Sequence, residues 1–311
     1  MVEEVRLIQA EIEKFVDFFE RARAQSDVSF VRETNLISDP QIFSITKLQD
    51  HLNNPLLSAD WCQISLGGQA INLQEHTLWK TVQTKKLLFI DKTKLNQAIE
   101  KGASVVLEGL DILDSNINHL LSRIDQSLPC ALSNCEAFFS QRGNEAYGGH
   151  RDSDDVLVLQ ISGEKRWNVH APQQRRYIGN SPLPPQQMGP LAADFVMKPG
   201  DAMFLRAGVP HRCITEAPSS LHLSFDLCDR TPNIEQITHA ANLHYNQGAA
   251  LPNSSAQEVV RHYIQHLESE RFTKELEEAT AALRSQARVF RQRIDGTRAV
   301  RFFEQLIKSK S

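Results

Sequence analysis

The sequence predicts a β-sandwich or barrel flanked on both sides by helices. Between about residues 132 and 227 the chain is a succession of short β-like runs separated by Gly, Pro and Asn: CEAFFS (135–140), DVLVLQIS (155–162), KRWNVHA (165–171), DFVMK (194–198), DAMFLR (201–206), RCITE (212–216) and SLHLSFDL (220–227). Strands this short, at regular spacing with turn signals between them, make sandwiches and barrels. DVLVLQIS is apolar on both faces, as expected of a strand buried on both sides. On either side of this region the pattern turns helical.

In chain order, residues 2–24 read as an amphipathic helix, because Val5, Ile8, Ile12, Phe15, Phe19 and Ala22 recur at spacings of three and four with charges between them. From 43 to 128 short helical and extended pieces alternate, and SVVLEGLDIL (104–113) reads as a strand and then a turn into a helix. The β-rich stretch includes GNSPLPPQQMGPL (179–191), too Pro-rich for regular structure and too apolar for a simple linker, which marks it as a lid or substrate-contact loop. Beyond residue 229, Ser255 and Glu258 form a capping box opening a helix through Val259, Tyr263 and Leu267. A further helix is expected from Thr297, using Val300, Phe303 and Ile307. Three regions follow: 1–130 with helices and accessory strands, a β core at 131–229, and a helical 230–311.

Composition narrows the class without naming a chemistry. The 34 Lys and Arg against 38 Asp and Glu leave a net charge of −4, which argues against attachment to nucleic acid by a strongly basic surface. That figure averages a tail (284–311) with eight Lys/Arg and two Asp/Glu against an acidic remainder. The five cysteines, Cys62, Cys130, Cys135, Cys213 and Cys228, are dispersed, so neither a disulfide framework nor a zinc ribbon is expected. No apolar run approaches the ~20 residues that cross a bilayer, and the N-terminus is acidic where a signal peptide is basic. The expectation is a cytoplasmic protein with reduced thiols, no membrane association and no direct nucleic-acid binding.

The chemical signal is Gly148-Gly149-His150-Arg151-Asp152, followed 59 residues after Asp152 by His211. On an extended strand His150 and Asp152 project from one face. A second imidazole from a neighbouring strand completes two nitrogens and one carboxylate around a metal. Three adjacent positions stay open, which suits Fe(II) working with O2 and a chelating cosubstrate. The same residues also read as a surface turn pair and a loop histidine. Lys165 shares its strand face with Trp167 and Val169, where an apolar residue normally packs, and a lysine aimed into a barrel needs an anion. A dicarboxylate would supply one; a lysine exposed at a Gly163 turn beside Glu164 is the alternative.

With these residues in view, the stretch from Asn134 to Leu227 resembles the JmjC/cupin-type 2-oxoglutarate oxygenases, especially the ribosomal oxygenase branch. The resemblance rests on GGHRDSDDVLVLQISGEKRW (148–167), MKPGDAMFLRAGVPHR (197–212) and SSLHLSFDL (219–227), with a looser likeness at 54–68 and 99–124. It implies a double-stranded β-helix, a jelly roll of two facing antiparallel sheets. It implies His150, Asp152 and His211 as Fe(II) ligands and Lys165 as the partner of the far carboxylate of 2-oxoglutarate. It places Tyr147 beside that carboxylate, Asn134 at the start of the strand preceding the ligands, and Ser224 near the other carboxylate. Those last three also read as a packed aromatic, a turn-capping amide and a strand hydroxyl. His222 shares the Ser224 face and is read as a satisfied core histidine.

The implied function is a 2-oxoglutarate-dependent dioxygenase, a hydroxylase acting on a protein or peptide side chain and releasing succinate, with a homodimer through the C-terminal helices. The sequence departs from the branch in SQRGNEAYGG before His150, in RAGVPH before His211, and in the 230–311 segment, which accommodates the helical region but not a winged helix as well. These departures leave open the same chemistry on a small molecule or biosynthetic peptide. A catalytically silent metal- or metabolite-binding cupin module is the non-enzymatic alternative. A zinc-dependent cupin hydrolase leaves Lys165 unexplained.

Overall fold

The computed structural model describes residues 2–54, 57–128, 133–141, 143–172, 181–227, 256–274, 277–278 and 281. The chain divides into two compact units, Met1–Arg230 and Thr231–Ser311. In the first, helix α1 (Val2–Arg23) leads to β1 (Phe30–Glu33), α2 (Ile45–Asn53), β2 (Cys62–Leu66) and β3 (Gln69–Ala70). A separate hairpin of β4 (Thr77–Val82) and β5 (Lys85–Ile90) precedes α3 (Lys92–Glu100), β6 (Ser104–Leu107), α4 (Leu110–Leu113) and α5 (Ser115–Gln126). The β core comprises β7 (Asn134–Gln141), β8 (His150–Arg151), β9 (Asp155–His170), β10 (Ser181–Pro182), β11 (Leu191–Met197), β12 (Ala202–Leu205) and β13 (His211–Leu227).

One sheet path runs β1-β12-β9-β13-β7-β6-β2-β3, and every pairing in it is antiparallel. Helices α1, α4 and α5 of the first unit pack on its outer face. The apolar stripe of α1 buries Ile12, Phe15, Val16, Phe19 and Ala22, with the Phe15 ring 5.4 Å from Phe225 and Phe19 6.2 Å from Phe204. Leu157, Leu159, Leu221, Leu223 and Phe225 point into this large cluster, while Val156, Val158, Trp167, Val169, Met197, Met203 and Leu205 form a second cluster. Alternate residues of β9 therefore serve two apolar environments, which explains why DVLVLQIS carries no polar face.

The long strands differ from the sequence expectation. DVLVLQIS and KRWNVHA are one 16-residue strand, and RCITE and SLHLSFDL belong to one strand of 17 residues. Gly163 is a corner within β9 rather than a turn ending it. Its φ is +65°, and a Cβ there would lie 1.9 Å from the Ser219 carbonyl oxygen of β13. Pro199-Gly200 likewise does not reverse the chain. β11 pairs with residues 165–170 of β9, β12 continues along residues 156–159, and Gly200 N–H donates to Gln160 O at 2.8 Å across the corner. Bends and register shifts of this kind carry a strand from one sheet to the facing one. They also change which alternate residues face inward: even positions of β9 before Gly163, odd positions after it.

The 179–191 loop is more regular than its prolines suggest. Ser181–Pro182 pairs with β8, a 3-10 turn spans Pro185–Gln187, and Leu183 and Met188 are buried, with Leu183 N–H donating to Gly149 O at 2.7 Å. Residues 179–180 lie outside the described residues, as do Ser255 of the expected capping box and the helix expected from Thr297. In the second unit α6 (Ala256–Leu267) is followed by a helical stretch from 270, which the Ser269 hydroxyl caps by accepting from Phe272 N–H at 3.2 Å.

Substituting Gly163→Ala should cost roughly 2–4 kcal/mol, because the methyl group meets backbone rather than a movable side chain and the positive φ adds strain. Chemical denaturation of the variant against wild type measures this.

Candidate active site

The corner geometry gathers polar side chains inside the β core. His150 on β8 and His211 at the start of β13 are register partners, with ring centroids 4.3 Å apart. Asp152 follows β8, and its backbone carbonyl accepts from Gly208 N–H at 2.8 Å. One ligand atom from each of His150, Asp152 and His211 lies within 4.8 Å of the others. His150 Nε2 is 3.5 Å from Asp152 Oδ1 and His211 Nε2 is 3.6 Å from Asp152 Oδ2.

The ring tautomers follow from the backbone. His150 Nδ1 lies 2.9 Å from Gly148 O, and His211 Nδ1 lies 3.1 Å from Val209 O. A carbonyl only accepts, so each Nδ1 carries the hydrogen and each Nε2 presents a lone pair toward Asp152. Burial, with the His150 ring beside it, lowers the His211 pKa to about 4, so the neutral ligating form persists well into acid. Two lone-pair nitrogens and a carboxylate converge with no hydrogen between them. That donor set fits a divalent first-row metal with positions left open.

The loop carrying His150 is fastened to β13. Arg212, next to His211, makes a bidentate ion pair with Glu145 at 2.7 and 2.8 Å. Gly143 N–H donates to Thr215 O at 2.8 Å, and Thr215 N–H to Asn144 O at 3.1 Å. Charge-assisted bidentate contacts fix orientation as well as distance.

Lys165 is fully buried, and burial lowers its pKa. The contacts of its ammonium are Ser140 Oγ at 3.3 Å and His222 Nδ1 at 3.5 Å, neither of them a carboxylate. Thr215 is the register partner of Lys165, and Trp167 lies two residues along β9; Thr215 Oγ1 and Trp167 Nε1 are buried without a hydrogen-bond partner. An ammonium and two unmatched donors on one sheet face fit an anion, and the far carboxylate of 2-oxoglutarate has the required charge and acceptors.

The other sequence candidates are spread through the core rather than gathered at Lys165. Ser224 is on the inward face of β13, opposite Val158 and Glu136. Tyr147 packs its ring edge-on against Phe138 and His150, while its hydroxyl donates to Gln63 Oε1 at 2.8 Å. Asn134 is exposed, opposite Asp226, six residues along β7 from the Ser140 that meets Lys165, or about 20 Å at the usual rise per strand residue.

Sequence reasoning missed Glu136 and Asp226. Burial and the nearby Asp226 charge raise Glu136 to about 8, and burial with the nearby Asp152 charge raises Asp226 to about 7. The available signal was the alternation in CEAFFS, which puts Glu136 on the face of Phe138 and Ser140.

Residues 112–237 match the JmjC domain family. The chain is 28% identical over 129 residues to a bifunctional lysine-specific demethylase and histidyl-hydroxylase NO66 of Drosophila persimilis, covering 40% of this chain and 18% of that protein. It is 31% identical over 110 residues to ribosomal oxygenase 2 of Rattus norvegicus, covering 34% and 23%. The matched segments thus span about a fifth of these relatives. Among solved structures, Escherichia coli ycfD matches with a TM-score of 0.54 at 17% identity, covering 82% of this chain and 68% of that one. A structure of the same E. coli ribosomal oxygenase with cobalt and 2-oxoglutarate matches with a TM-score of 0.53 at 14% identity, covering 85% and 69%. These structures establish a shared jelly-roll/cupin fold.

The raised carboxyls of Glu136 and Asp226 keep protons in the folded state that the unfolded chain releases. Their stabilising contribution is therefore complete below the unfolded values and is lost as pH rises through the folded ones, a window of about pH 4 to 8. In metal-free protein, Glu136→Gln should raise the melting temperature relative to wild type at pH 9 and leave it nearly unchanged at pH 4, as thermal melts across pH will show.

Proposed function

We propose that this chain, a ribosomal-oxygenase-like protein carrying a JmjC domain, is an Fe(II)- and 2-oxoglutarate-dependent oxygenase that hydroxylates a protein or peptide side chain. The observation that carries this reading is the presence in one β core of a His-Asp-His group with bare Nε2 atoms and a buried lysine lacking a carboxylate partner. His150, Asp152 and His211 would hold the iron, and Lys165 the far carboxylate of 2-oxoglutarate, with Thr215 and Trp167 as further donors. Ser224, on the inward face of β13, would approach the near carboxylate, and Tyr147, edge-on to the His150 ring, would stand beside the metal ligands.

Iron with bound 2-oxoglutarate supplies oxygen activation coupled to decarboxylation of 2-oxoglutarate to succinate. The protein's own work is positional. The Gly148 and Val209 carbonyls hold both imidazole rings by their Nδ1–H groups, and the Glu145–Arg212 pair keeps the His150 loop against β13. Val156, Val158, Trp167, Val169, Met197 and Met203 form a buried apolar cluster on the same inward faces, and dry surroundings would strengthen the electrostatic contacts made there. Support for a protein substrate comes from relatives named as ribosomal oxygenases and histidyl-hydroxylases. The free cysteines Cys62, Cys135 and Cys213 accord with a reducing compartment such as the cytoplasm. Homodimerisation through 230–311 belongs to the same proposal.

Purified protein with Fe(II) should convert 2-oxoglutarate to succinate, and His150→Ala or Asp152→Ala should lower turnover by at least about 100-fold, the upper range seen even for loss of a ligand's outer hydrogen-bond partner. Turnover by both variants equal to that of wild type would remove the assignment. Mass spectrometry of partners captured by His150→Ala, after treatment with wild type, should show the gain of one oxygen atom.

A further inference from the structure

We infer that His222 is a positioning residue: by accepting a hydrogen bond from Lys165 at Nδ1, it sets the direction in which the ammonium presents its remaining N–H to the far carboxylate of the cosubstrate. This rests on the role given to Lys165 above and assigns a task to a histidine that the sequence suggests is only a core residue.

Lys165 Nζ meets His222 Nδ1 at 3.5 Å and Ser140 Oγ at 3.3 Å. With Lys165 charged, as pairing with a carboxylate requires, its ammonium has three donors and no acceptor, so Nδ1 is the bare nitrogen of the ring and Nε2 carries the hydrogen. Two acceptors on one ammonium remove its rotation about the Cε–Nζ bond, and the third N–H is left with one direction. A four-carbon stem otherwise gives lysine poor angular definition.

The imidazole is itself immobilised. It stacks on Phe138 with centroids 4.9 Å apart and planes 8° from parallel, and it meets Trp167 edge-on at 5.7 Å and 73°. Only 2% of the residue is exposed. Burial and the adjacent Lys165 charge hold the ring neutral, and an imidazolium has no lone pair to accept with. Strand alternation places this ring on the inward face, while Leu221 and Leu223 join the large apolar cluster on the other side. A histidine needed only to fill space does not require a bare Nδ1 facing an ammonium.

The test uses the Fe(II)-loaded full chain, with melting curves to confirm that each variant folds. His222→Leu should raise KM for 2-oxoglutarate about 10-fold or more, the lower end expected for losing a hydrogen bond to a charged group, with kcat at saturation within about threefold of wild type. It should also erode the preference for 2-oxoglutarate over the one-carbon-longer 2-oxoadipate. His222→Asn, which keeps a side-chain acceptor, should recover most of the affinity. Independently of activity, long-range 1H–15N NMR of metal-free wild type should find His222 as the Nε2–H tautomer, and Lys165→Met should release that preference. An unchanged KM in folded His222→Leu, or a hydrogen on Nδ1 in wild type, overturns the inference; should His222→Leu not fold, the asparagine variant and the NMR decide. Lys165→Ala with an unchanged KM would instead remove the cosubstrate reading.

Discussion

The Ser219 carbonyl oxygen occupies the space where Gly163 would carry a Cβ, and the arrangement of the core depends on that approach. It lets β9 and β13 bend together and pass from one sheet to the facing one without ending. Because side chains alternate along a strand, each irregularity also resets which residues point inward. Lys165, Trp167 and Val169 then share the interior with Val156 and Val158, and His222 and Ser224 with His211 and Thr215. A strand of the same length without the corner would send one of these sets to the helical side.

The interior so formed is electrostatically divided. Toward the metal-ligand group stand carboxyls, with Glu136 and Asp226 raised to about 8 and about 7 because burial and neighbouring charge oppose their ionisation. At the other end the Lys165 ammonium stands with a neutral imidazole and two unmatched donors. Buried groups of this kind are costly alone. The His150, Asp152 and His211 donors suit a metal cation and the Lys165 end suits a carboxylate, the two demands that a chelating dicarboxylate cosubstrate would meet together.

Much of this was legible from local pattern. Spacing in α1, the doubly apolar run of β9 and the H-x-D pair are features of consecutive residues, and the inward face of Lys165, Trp167 and Val169 follows from period-two alternation once the strand is recognised. The merging of apparent short strands into β9 and β13 was not legible, because glycine marks a turn and a corner alike. The distribution of Tyr147 and Asn134 was not legible either: Gln63, which takes the Tyr147 hydroxyl, is 84 residues away in the chain.

The sequence alone therefore determined the residue types, the secondary-structure class of the core and the chemistry available to His150, Asp152, His211 and Lys165. Tertiary structure decided which nitrogens of those histidines are bare, since that depends on the Gly148 and Val209 carbonyls. It decided that Lys165 meets Ser140 and His222 rather than an acid, and that Glu136 and Asp226 titrate far above ordinary carboxyls. The physical reason is common to these cases. Protonation and orientation depend on burial and on through-space partners, and strands distant in sequence supply most of both.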